Sequence, residues 1–467
     1  MKILLAAPVP PRRVRDRDSF MRYAFPLYGV NLLATALRRD GHQVKVLDSL
    51  SCLLETRSAK IDVLHRLEKE MPAYDVLAIS NLASAMNRHC VDAAAIARKH
   101  GKKVVIGGVQ PTVERGCFLK RWPGLFDAEV AGEGEIVLPV LIRRLQSKDP
   151  RLAGLEGVSF LRDGKVEIAK KARRIDALDA LPGADYSAYD VPHWKPRTVA
   201  VNMTRGCPYR CPFCSSSFLW GKLRRRGADS VAGEIERLCS ALKPDKIYID
   251  DDNFIVDKEG LELLARIKDL RRREGYDFEL LIRTRLDKAG PRFLDAYKSA
   301  GGRVLELGLE SSERLRRKVL GGKLPTRDIQ DKLAHARRIG LKLYVFLMLG
   351  IPTETLDDLR EIWRDLKALD PEGVRPSILH LYPNTPLWES FGPKDGNASR
   401  RSWALDQDCL TGVQGADLRR ARLFQRVFTE RFNKSAMTRE LYGEQHAAMA
   451  SFSKAEIRRA VALLEAR

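Results

Sequence analysis

The chain has 467 residues, of which 44% are hydrophobic and 31% charged, and this balance fits a multidomain protein with a sizeable core. No apolar stretch approaches the roughly 20 residues that span a bilayer. The apolar run at the start of the chain is too short for a signal peptide, so we expect a cytoplasmic protein.

Charge and cysteine content narrow the class of protein further. The formal net charge is +21, but lysine and arginine are spread along the whole chain without a lysine-rich tail. This distribution is typical of a solvated surface, and nucleic acid is not expected as a partner. Three of the eight cysteines fall within eight residues, and the others are scattered. That asymmetry excludes a disulfide scaffold and predicts a metal site in a reducing compartment.

Residues 1–145 alternate between apolar strands and helices with apolar residues at helical spacing. Such alternation predicts an α/β fold with a parallel sheet, whose ligands sit at the carboxyl ends of the strands. We therefore interpret 1–145 as a doubly wound, Rossmann-like domain. The predicted strands cover 2–6, 44–47, 76–79 and 104–106, and the predicted helices include 30–39 and 93–99.

Residues 146–197 have a different character. Asp163-Gly164 lies between strand-like runs and favours a tight hairpin turn, while several prolines argue against a long helix. We interpret this segment as a linker between two domains.

A second alternation of strands and helices occupies residues 198–395. Six strand and helix units in succession predict a parallel, partial (β/α)6 barrel with its active site at the carboxyl mouth. Residues 396–467 are then predicted to be a helical region, and its apolar stripe between 423 and 432 is typical of packing. The six predicted strands cover 199–203, 246–249, 280–282, 304–307, 343–347 and 378–381.

One motif stands directly after the first strand of the second alternation. It places Cys207, Cys211 and Cys214 at CxxxCxxC spacing. Three thiolates can converge on one iron–sulfur cluster and leave one iron without a protein ligand, whereas a structural zinc site usually needs four ligands. A zinc site would have to recruit His193 or Cys239, and neither lies at a usual zinc-ribbon spacing. The motif therefore predicts a catalytic cluster with an open iron position.

This cysteine loop resembles that of the radical SAM superfamily, including the aromatic Phe213 before the third cysteine. The resemblance implies that a four-iron four-sulfur cluster binds S-adenosylmethionine and cleaves it to a 5'-deoxyadenosyl radical. It also implies that the protein orients the cofactors and excludes water, while the cofactors carry the chemistry.

Further motifs follow in the order of the superfamily. The sequence at 251–254 resembles the Asp-Asp-Asn-Phe signature of cobalamin-dependent members. Two later segments resemble turns of the same family, with Thr353 and Asn384 in place of glycine. Asparagine tolerates the left-handed backbone of a glycine, so the second turn is expected to persist. The resemblance implies contacts to S-adenosylmethionine from Phe213, Asp251, Asp252, Asn253, Arg283, Glu310, Ser311 and Gly350.

The first domain resembles the cobalamin-binding domains that precede radical SAM barrels, through the sequences at 26–34, 41–44, 105–112 and 132–135. Glycines after parallel strands let the backbone approach a large flat ligand. The motif that supplies a lower-face histidine in several cobalamin proteins is absent, and His42 is interpreted as a turn or surface residue. The resemblance implies cobalamin contacts from Leu27, Gly29, Gly107, Gly108, Gln110, Gly132 and Glu133.

The resemblance as a whole implies a cobalamin-dependent radical SAM enzyme. Our first hypothesis is methyl transfer to an unactivated carbon or phosphorus of a small molecule. A cobalamin-dependent oxidoreductase, a cyclase or a ring rearrangement is the alternative. The expected partner is a reducing electron donor such as flavodoxin or ferredoxin.

A second enzyme class is a transfer RNA methylthiotransferase, because Cys52, Cys90 and Cys117 add three cysteines to the first domain. That family has its first cysteine at the end of the first strand and ends in a small β-barrel. This chain has two alanines and a proline at 6–8 and a helical tail, and scattered cysteines are typical of buried small hydrophobes. A nonenzymatic cobalamin or redox sensor would not need the motifs that cleave S-adenosylmethionine.

Overall fold

The structure is a computed structural model that describes residues 1–9, 12–13, 26–56, 60–83, 86–147, 152–189, 195–322, 325–392, 413, 415–434 and 452–466. Within these residues the chain divides into two compact units. The first contains the residues up to Pro196 together with Phe218–Arg224. The second contains Arg197–Ser217 and the residues from Arg225 onward.

The first unit is built on a seven-stranded sheet. Its strands in chain order, with the short strands β2 and β4, are β1 Lys2–Ala6, β2 Arg12–Arg13, β3 Gln43–Leu47, β4 Lys60–Ile61, β5 Val76–Asn81, β6 Lys103–Gly108, β7 Ala128–Val130, β8 Val158–Arg162 and β9 Lys165–Glu167. The sheet order is β3-β1-β5-β6-β7-β8-β9, and the short pair β2 and β4 stands apart from it. The five strands from β3 to β7 in this order are parallel to one another.

Helices connect these parallel strands, so the predicted doubly wound α/β class is confirmed. All four strands predicted in residues 1–145 lie in the sheet. The side chains of β1 after Lys2 are buried, as expected for a strand with covered faces. The helices are α1 Tyr28–Arg39, α2 Ser49–Thr56, α3 Val63–Glu70, α4 Asn87–Lys99, α5 Val109–Val113, α6 Cys117–Arg121 and α7 Val137–Leu145.

The segment predicted as a linker contributes two strands to the first sheet. Strands β8 and β9 form a hairpin around Asp163 and Gly164, whose φ angles of 47° and 75° produce the predicted tight turn. Strand β8 also pairs antiparallel with β7. The described part of 146–197 therefore extends the first sheet, a role that was missed because β9 is short and mostly exposed.

The second unit contains the predicted partial barrel. Its strands are β10 Thr198–Val201, β11 Thr204–Arg205, β13 Lys246–Ile249, β14 Glu279–Arg285, β15 Gly302–Glu310, β16 Lys342–Leu349 and β17 Gly373–Ile378, while the two-residue β12 Arg224–Arg225 spans the boundary between the units. The long strands form one parallel sheet in the order β10-β13-β14-β15-β16-β17. Sequential order with a helix after each strand is the topology of a (β/α) barrel, whose strands all end at one mouth.

Helices surround this sheet and occupy most of the described part of the C-terminal region. They are α8 Ser216–Trp220, α9 Ala228–Leu242, α10 Lys258–Glu274, α11 Pro291–Ser299, α12 Glu313–Lys318, α13 Thr326–Arg338, α14 Leu356–Leu369, α15 Pro386–Phe391, α16 Gly415–Phe432 and α17 Lys454–Glu465. Short 3-10 helices cover Met71–Ala73, Leu178–Ala180, Tyr186–Tyr189 and Leu286–Lys288. None of the helices in the described ranges is long and apolar enough to cross a membrane.

The last strand of the barrel lies earlier in the chain than the sequence predicted. The predicted strand was 378–381, but β17 ends at Ile378 and includes Pro376. A proline cannot donate to a strand ladder, and β17 tolerates it because it lies at the sheet edge. The apolar residues Leu379 and Leu381 instead belong to a buried cluster after the strand.

Helix α16 covers the edge strand β17. The side-chain amide of Asn433, just past the helix, accepts a hydrogen bond from the Val374 N–H at 3.1 Å and donates one to the Val374 carbonyl at 3.2 Å. The Gln425 side chain donates to the carbonyl of Pro376 at 2.9 Å. The side-chain amides of Gln425 in the helix and of Asn433 just after it therefore pair with backbone groups of the strand.

The apolar stripe predicted between 423 and 432 is a packing face. Phe428 and Phe432 lie against Trp363 of α14, with ring centroids 5.8 and 5.1 Å apart. Phe424 and Val427 on the same face are also buried. The stripe thus attaches the C-terminal region to the outside of the barrel.

Candidate active site

The three cysteines of the CxxxCxxC motif line one cavity of about 190 Å³ in the second unit. Each thiol is half-buried, and the Cys214 N–H donates to the Cys211 carbonyl at 3.0 Å. Burial raises the pKa of all three thiols, that of Cys214 to about 11. A bound metal would therefore have to supply the positive charge that makes them thiolates.

This donor set fits a four-iron four-sulfur cluster. Each thiolate of such a cluster binds a different iron, and three cysteines leave the fourth iron open. In the part of the chain that the structure describes, no three His, Cys, Asp or Glu side chains are placed to hold a metal ion. A cluster does not require the three sulfurs to meet at one atom. Of the two alternative zinc ligands, Cys239 is buried in α9 and His193 lies outside the described residues.

Asp251, predicted to contact S-adenosylmethionine, faces the start of the cysteine loop. Its Oδ1 accepts hydrogen bonds from the N–H groups of Met203 and Thr204 at 2.9 and 3.0 Å, and its Oδ2 accepts one from the Thr204 hydroxyl at 2.7 Å. The side chain is buried and does not line the cavity. Its hydrogen bonds therefore fix the backbone before Cys207.

Asp252, the next residue, does line the cavity and contacts the other end of the loop. Its Oδ2 accepts a hydrogen bond from the Ser216 hydroxyl. Ser216 lies shortly after Cys214, whereas Thr204 lies shortly before Cys207. The two neighbouring aspartates therefore hold opposite ends of the cysteine loop.

Arg283 lines the cavity from β14 and is fixed by groups on the adjacent strands. Its Nε donates to Glu306 Oε2 at 3.3 Å, and its Nη2 donates to the Tyr248 hydroxyl, which itself donates to Glu306 at 2.8 Å. The Phe346 ring lies 5.3 Å from the guanidinium. Burial raises the pKa of the nearby Asp250 to about 6, and the charge of Arg283 opposes that shift.

Glu310 ends β15 inside the cavity with an unusual backbone. Its φ of 68° lies in the left-handed region, and its carboxylate lies against Gly308, where an added Cβ would be 2.1 Å from Oε1. Burial raises the pKa of Glu310 to about 7, while Arg285 and Arg316 act in the opposite direction. A carboxyl group with this pKa can accept or donate a hydrogen bond near neutral pH.

Phe213 and Asn253 also line the cavity, whereas two further predicted ligands of S-adenosylmethionine do not. Ser311 is fully buried, and its hydroxyl has no hydrogen-bond partner among the described residues. Gly350 has a φ of 69°, and an added Cβ would lie 2.9 Å from the Val413 side chain. Close packing of the C-terminal region therefore accounts for the glycine.

The cavity contains residues that the sequence analysis did not single out. Arg285 could have been found from the pattern, because alternate residues of a strand face the same side and Arg283 was already a candidate. The others come from several strand ends and helices that are distant in sequence, and no local pattern connects them. These additional lining residues are Tyr209, Thr284, Arg285, Leu286, Asp287, Gly308, Arg316, Leu320, Gly322, Ile329 and Phe346.

Some of the residues predicted to bind cobalamin are accessible to solvent, and the others make contacts inside the first unit. Gly29, near the start of α1, is exposed, and an added Cβ there would meet no atom within 4 Å. Leu27 is half-buried, and Leu82 directly after β5 is 37% exposed. These positions give the first unit an accessible surface next to strand ends.

Two predicted glycines are explained by backbone contacts inside the first unit, and a third lies close to a neighbouring strand. An added Cβ at Gly108 would lie 2.2 Å from the Asn81 carbonyl oxygen, and one at Gly132 would lie 2.1 Å from that of Arg173. At Gly107 the Val130 carbonyl oxygen would be 3.3 Å away. Close contacts between backbone segments of the first unit therefore require glycine at 108 and 132, whether or not a ligand binds there.

The two polar residues of the same set are also engaged. The Gln110 N–H donates to Asn81 Oδ1 at 3.0 Å. The buried Glu133 carboxylate accepts hydrogen bonds from the Ile175 N–H and from Arg224, at 2.5 and 2.6 Å. These contacts shape the turns after β6 and β7.

His42 is buried, so it is not a surface residue, although it directly follows the turn at Asp40 and Gly41. It lies just before β3, with Nδ1 3.4 Å from the Met1 amino group and Nε2 3.4 Å from Asp40. Burial lowers its pKa. Since ligands of parallel sheets bind at the carboxyl ends of strands, His42 is at the wrong end of β3 to reach one.

The three additional cysteines of the first domain are separate core residues. Cys52, Cys90 and Cys117 are each at most 1% exposed. Burial raises the pKa of Cys52 to about 11 and that of Cys90 to about 12. They have the environment of small hydrophobic residues rather than of metal ligands.

Comparisons with known proteins agree with this two-unit arrangement. The family profile of the Radical SAM superfamily matches residues 201–366, and that of the B12 binding domain matches residues 22–142. The chain is 28% identical over 396 residues to the "Uncharacterized methyltransferase PH0819" of Pyrococcus horikoshii, covering 83% of each protein. It is 25% identical over 301 residues to the anaerobic magnesium-protoporphyrin IX monomethyl ester cyclase of Cereibacter sphaeroides, covering 62% of this chain and 48% of the cyclase.

A solved structure shares the fold. It is the radical S-adenosylmethionine methyltransferase TsrM from Kitasatospora setae with cobalamin and a [4Fe-4S] cluster bound. The similarity has a TM-score of 0.64 at 19% identity and covers 84% of this chain and 77% of TsrM.

The barrel and its cysteine loop lie in the part of the chain that matches the Radical SAM superfamily profile. Together with the match of the preceding residues to the B12 binding domain, this match supports the assignment of the chain to the cobalamin-dependent radical SAM enzymes. The prediction of a four-iron four-sulfur cluster, S-adenosylmethionine and cobalamin as cofactors is confirmed at the level of these domains.

Proposed function

We propose that the protein transfers a methyl group from S-adenosylmethionine to an unactivated carbon or phosphorus of a small molecule. The observation that carries this proposal is one cavity lined by three thiols and polar strand-end residues, in a chain with a B12 binding domain. When bound, the cluster and S-adenosylmethionine supply a 5'-deoxyadenosyl radical, and cobalamin supplies the methyl group. Similarity to a protein named as a methyltransferase over 83% of the chain supports methyl transfer.

The first task of the chain's own residues is to hold the cysteine loop. We assign Cys207, Cys211 and Cys214 as cluster ligands and the two aspartates as the residues that fix the loop ends. Movement of the loop start would unpair the buried carboxylate of Asp251, which costs about 1–3 kcal/mol or more for a charged group. Asp252 holds the other end and also faces the cavity. A loop fixed at both ends presents its thiols in one arrangement.

The second task is to bind and orient S-adenosylmethionine. Residues that line the cavity are our candidates for direct contact, and they are Phe213, Asp252, Asn253, Arg283 and Glu310. Arg283 is held by Tyr248 and Glu306, so its planar donors are oriented before a ligand arrives. Asp251, Ser311 and Gly350 do not line the cavity, so we assign them a structural role in positioning the residues that do.

The third task is to keep water from the reacting groups. A primary carbon radical reacts with whatever it meets, so the site must exclude competing hydrogen donors. The cavity walls include the apolar side chains of Leu320, Ile329 and Phe346. Phe213 packs against the buried cluster that contains Leu320. These side chains restrict access of water to the thiols.

We propose that cobalamin binds the first unit at the carboxyl edge of its parallel strands. Leu27, Gly29 and Leu82 offer accessible surface there, and Gly107 and Gly108 offer backbone. Through their contacts inside the unit, Gln110, Gly132 and Glu133 support the turns. We expect no cobalt ligand from the missing histidine motif, and His42 lies at the other end of β3.

A cobalamin-dependent cyclase or oxidoreductase is the second candidate. The observation that favours it is 25% identity over 301 residues to an anaerobic cyclase. The two reactions share the radical step and differ in whether a methyl group reaches the substrate. The cavity residues do not distinguish them, because both reactions begin with the same cofactors.

We also propose that the reducing electron comes from a flavodoxin or ferredoxin and that the protein works in the cytoplasm. Support comes from the half-buried thiols of the cysteine loop, which suit a reducing compartment. Reduction of purified protein by either donor, monitored by the loss of cluster absorbance, tests the first part. Fractionation of cells tests the second.

A labelling experiment tests methyl transfer. The anaerobically reconstituted protein is incubated with candidate substrates and with S-adenosylmethionine that carries a deuterated methyl group. The proposal expects a product that has gained the deuterated methyl mass. A product that forms without this mass, together with 5'-deoxyadenosine, would establish the cyclase or oxidoreductase candidate instead.

A further inference from the structure

An arginine lies against one of the three cysteine sulfurs. The Nη1 of Arg285 is 3.3 Å from the Sγ of Cys211, within hydrogen-bonding distance of a sulfur acceptor. Arg285 is the last residue of β14, and its side chain lines the same cavity as the thiols. The contact joins a permanent positive charge to one cluster ligand.

The guanidinium is held in this orientation by two further groups. Its Nε and Nη2 donate to the two carboxylate oxygens of Asp287, at 2.9 and 3.2 Å. The Tyr209 ring, which belongs to the cysteine loop, lies 4.4 Å from the guanidinium carbon. A bidentate carboxylate and an adjacent aromatic ring restrict the plane of an arginine, and in this plane Nη1 lies against Cys211.

The surrounding backbone keeps Asp287 in place as well. Asp287 lies in a short 3-10 helix directly after β14, and its carbonyl accepts a hydrogen bond from the Lys332 ammonium at 2.6 Å. The arrangement therefore joins a strand end, a helical turn and the cysteine loop.

A positive charge beside a cluster ligand changes the energy of adding an electron. The reduced cluster carries one more negative charge than the oxidised cluster, so a cation and an N–H donor at the ligand sulfur stabilise the reduced form more. Hydrogen bonds to the sulfurs are a recognised determinant of iron–sulfur reduction potentials. The direction of the effect is therefore upward in potential, toward easier reduction.

We propose that Arg285, held by Asp287 and Tyr209, sets the reduction potential of the cluster through its hydrogen bond to Cys211. This inference rests on the proposed function, because it requires that the three cysteines hold a cluster. One electron enters from a reduced donor of the ferredoxin or flavodoxin class, and no bond to Arg285 forms or breaks. Arg285 is thus a positioning residue that acts through a ligand.

The test is a redox titration of the reconstituted full-length protein, followed by electron paramagnetic resonance and performed without S-adenosylmethionine. Omitting S-adenosylmethionine removes any contribution of Arg285 to binding that cofactor. Arg285→Gln should decrease the ratio of reduced to oxidised cluster at a fixed potential about tenfold, which is about 59 mV for one electron. Arg285→Lys keeps the charge but loses the fork and should give a smaller decrease.

Arg283→Gln is the matched control, because it removes one arginine from the same cavity without touching a thiol. It should shift the potential less than Arg285→Gln does. An equal shift in both variants, or no shift in Arg285→Gln, would overturn the inference and leave the proposed function standing. Absence of iron and sulfide in the unmodified protein would refute the proposed function itself.

Tyr209→Leu covers the case in which Arg285→Gln does not retain a cluster. This change keeps every charge but removes the ring that lies against the guanidinium, so the hydrogen bond to Cys211 should weaken and the potential should fall below that of the unmodified protein. An unchanged potential in Tyr209→Leu would contradict the inference in that case.

Discussion

The residues predicted to form a site in each of the two units differ in kind. In the second unit, side chains from a loop and several strand ends converge on one cavity that contains the three thiols. In the first unit, the predicted glycines Gly108 and Gly132 serve close backbone contacts, and Glu133 is satisfied internally. A site made of converging side chains can be recognised from residue types, whereas a site made of accessible backbone leaves few side chains to recognise.

The difference also predicts how each site responds to substitution. Removing side chains should disable the second unit, because its chemistry depends on particular thiols and charges. Removing side chains should affect the first unit little. Its binding surface should instead be sensitive to side chains that are added where open space exists.

The largest effect is expected from the cysteine loop. Replacing Cys207, Cys211 and Cys214 together with alanine should abolish both cluster absorbance and the formation of 5'-deoxyadenosine. The buried Cys90→Ala is a matched control, because it removes a thiol of the first unit that lines no cavity with the others. Cleavage of S-adenosylmethionine by the triple variant would contradict the assignment of the cluster ligands.

Omission of cobalamin should separate the contributions of the two units. With all cofactors present, methyl transfer uses two molecules of S-adenosylmethionine, so S-adenosylhomocysteine and 5'-deoxyadenosine should form in about equal amounts. Protein prepared without cobalamin should lose S-adenosylhomocysteine and retain 5'-deoxyadenosine, as chromatography of the products would show. Turnover with substrate that gives 5'-deoxyadenosine alone in the complete system would argue against methyl transfer.

Asp251→Asn should weaken the second unit without changing any residue that lines the cavity. Asparagine offers one carbonyl oxygen where the carboxylate accepted three hydrogen bonds, so the free energy of unfolding should fall by about 1–3 kcal/mol. The reconstituted variant should also bind less iron. Denaturant unfolding and iron analysis provide the two measurements.

Asp250→Asn is the control for this change, because burial raises the pKa of both neighbouring aspartates to about 6, so the loss of charge affects the two positions alike. The Asp251 carboxylate additionally accepts the three hydrogen bonds from Met203 and Thr204, so Asp250→Asn should destabilise the protein less than Asp251→Asn does. Equal destabilisation in both variants would mean that the hydrogen bonds of Asp251 to the loop are not the cause.

An added side chain should disturb the first unit more than a removed one. Gly29→Leu places bulk where no atom lies within 4 Å, so the fold should persist while cobalamin binds about tenfold more weakly, or about 1.4 kcal/mol. Gly233→Leu, at another open glycine in α9, should leave cobalamin binding unchanged. Spectrophotometric titration with cobalamin compares them, and tight binding by Gly29→Leu would move the cobalamin site elsewhere.

Much of this architecture was accessible from the sequence because it is repetitive. Alternating strands and helices predicted both sheets, and the spacing of the cysteines predicted the loop that lines the cavity. The position of β17 was not predicted, since Pro376 conceals an edge strand from any pattern based on apolar residues. The hairpin turn after β7 was predicted, but its pairing with the first sheet was missed because β9 is short and mostly exposed.

The assignment of individual site residues depended on side-chain direction, which sequence does not contain. Asp251 and Asp252 are neighbours of the same type, yet one fixes the loop start and the other lines the cavity. His42 was expected at the surface, but it is buried, and its ring lies between the Met1 amino group and Asp40. Each outcome follows from contacts between residues far apart in the chain.

The smallest effect on stability is expected at Thr353, in a turn where the family that the sequence resembles has glycine. Thr353 has a φ of 73°, which is unfavourable for a β-branched residue. Thr353→Gly should therefore raise the free energy of unfolding by about 0.5–1 kcal/mol, after the larger entropy of unfolded glycine is included. Asn384→Gly, at a φ of 67°, should change it by less than about 0.5 kcal/mol, because asparagine tolerates this backbone. Thermal unfolding of both variants would reveal whether the two turns differ as expected.

The side-chain amide of Asn433 has a consequence for how the protein behaves in a crowded solution. By accepting from and donating to the same residue of β17, it imitates the peptide group of a further strand. Together with Pro376, which has no N–H to offer, it leaves the open side of the barrel a poor template for another polypeptide. Helix α16 and Asn433 thus protect β17 from edge-to-edge aggregation. Their loss would expose the edge of this strand to pairing with a second copy of the chain.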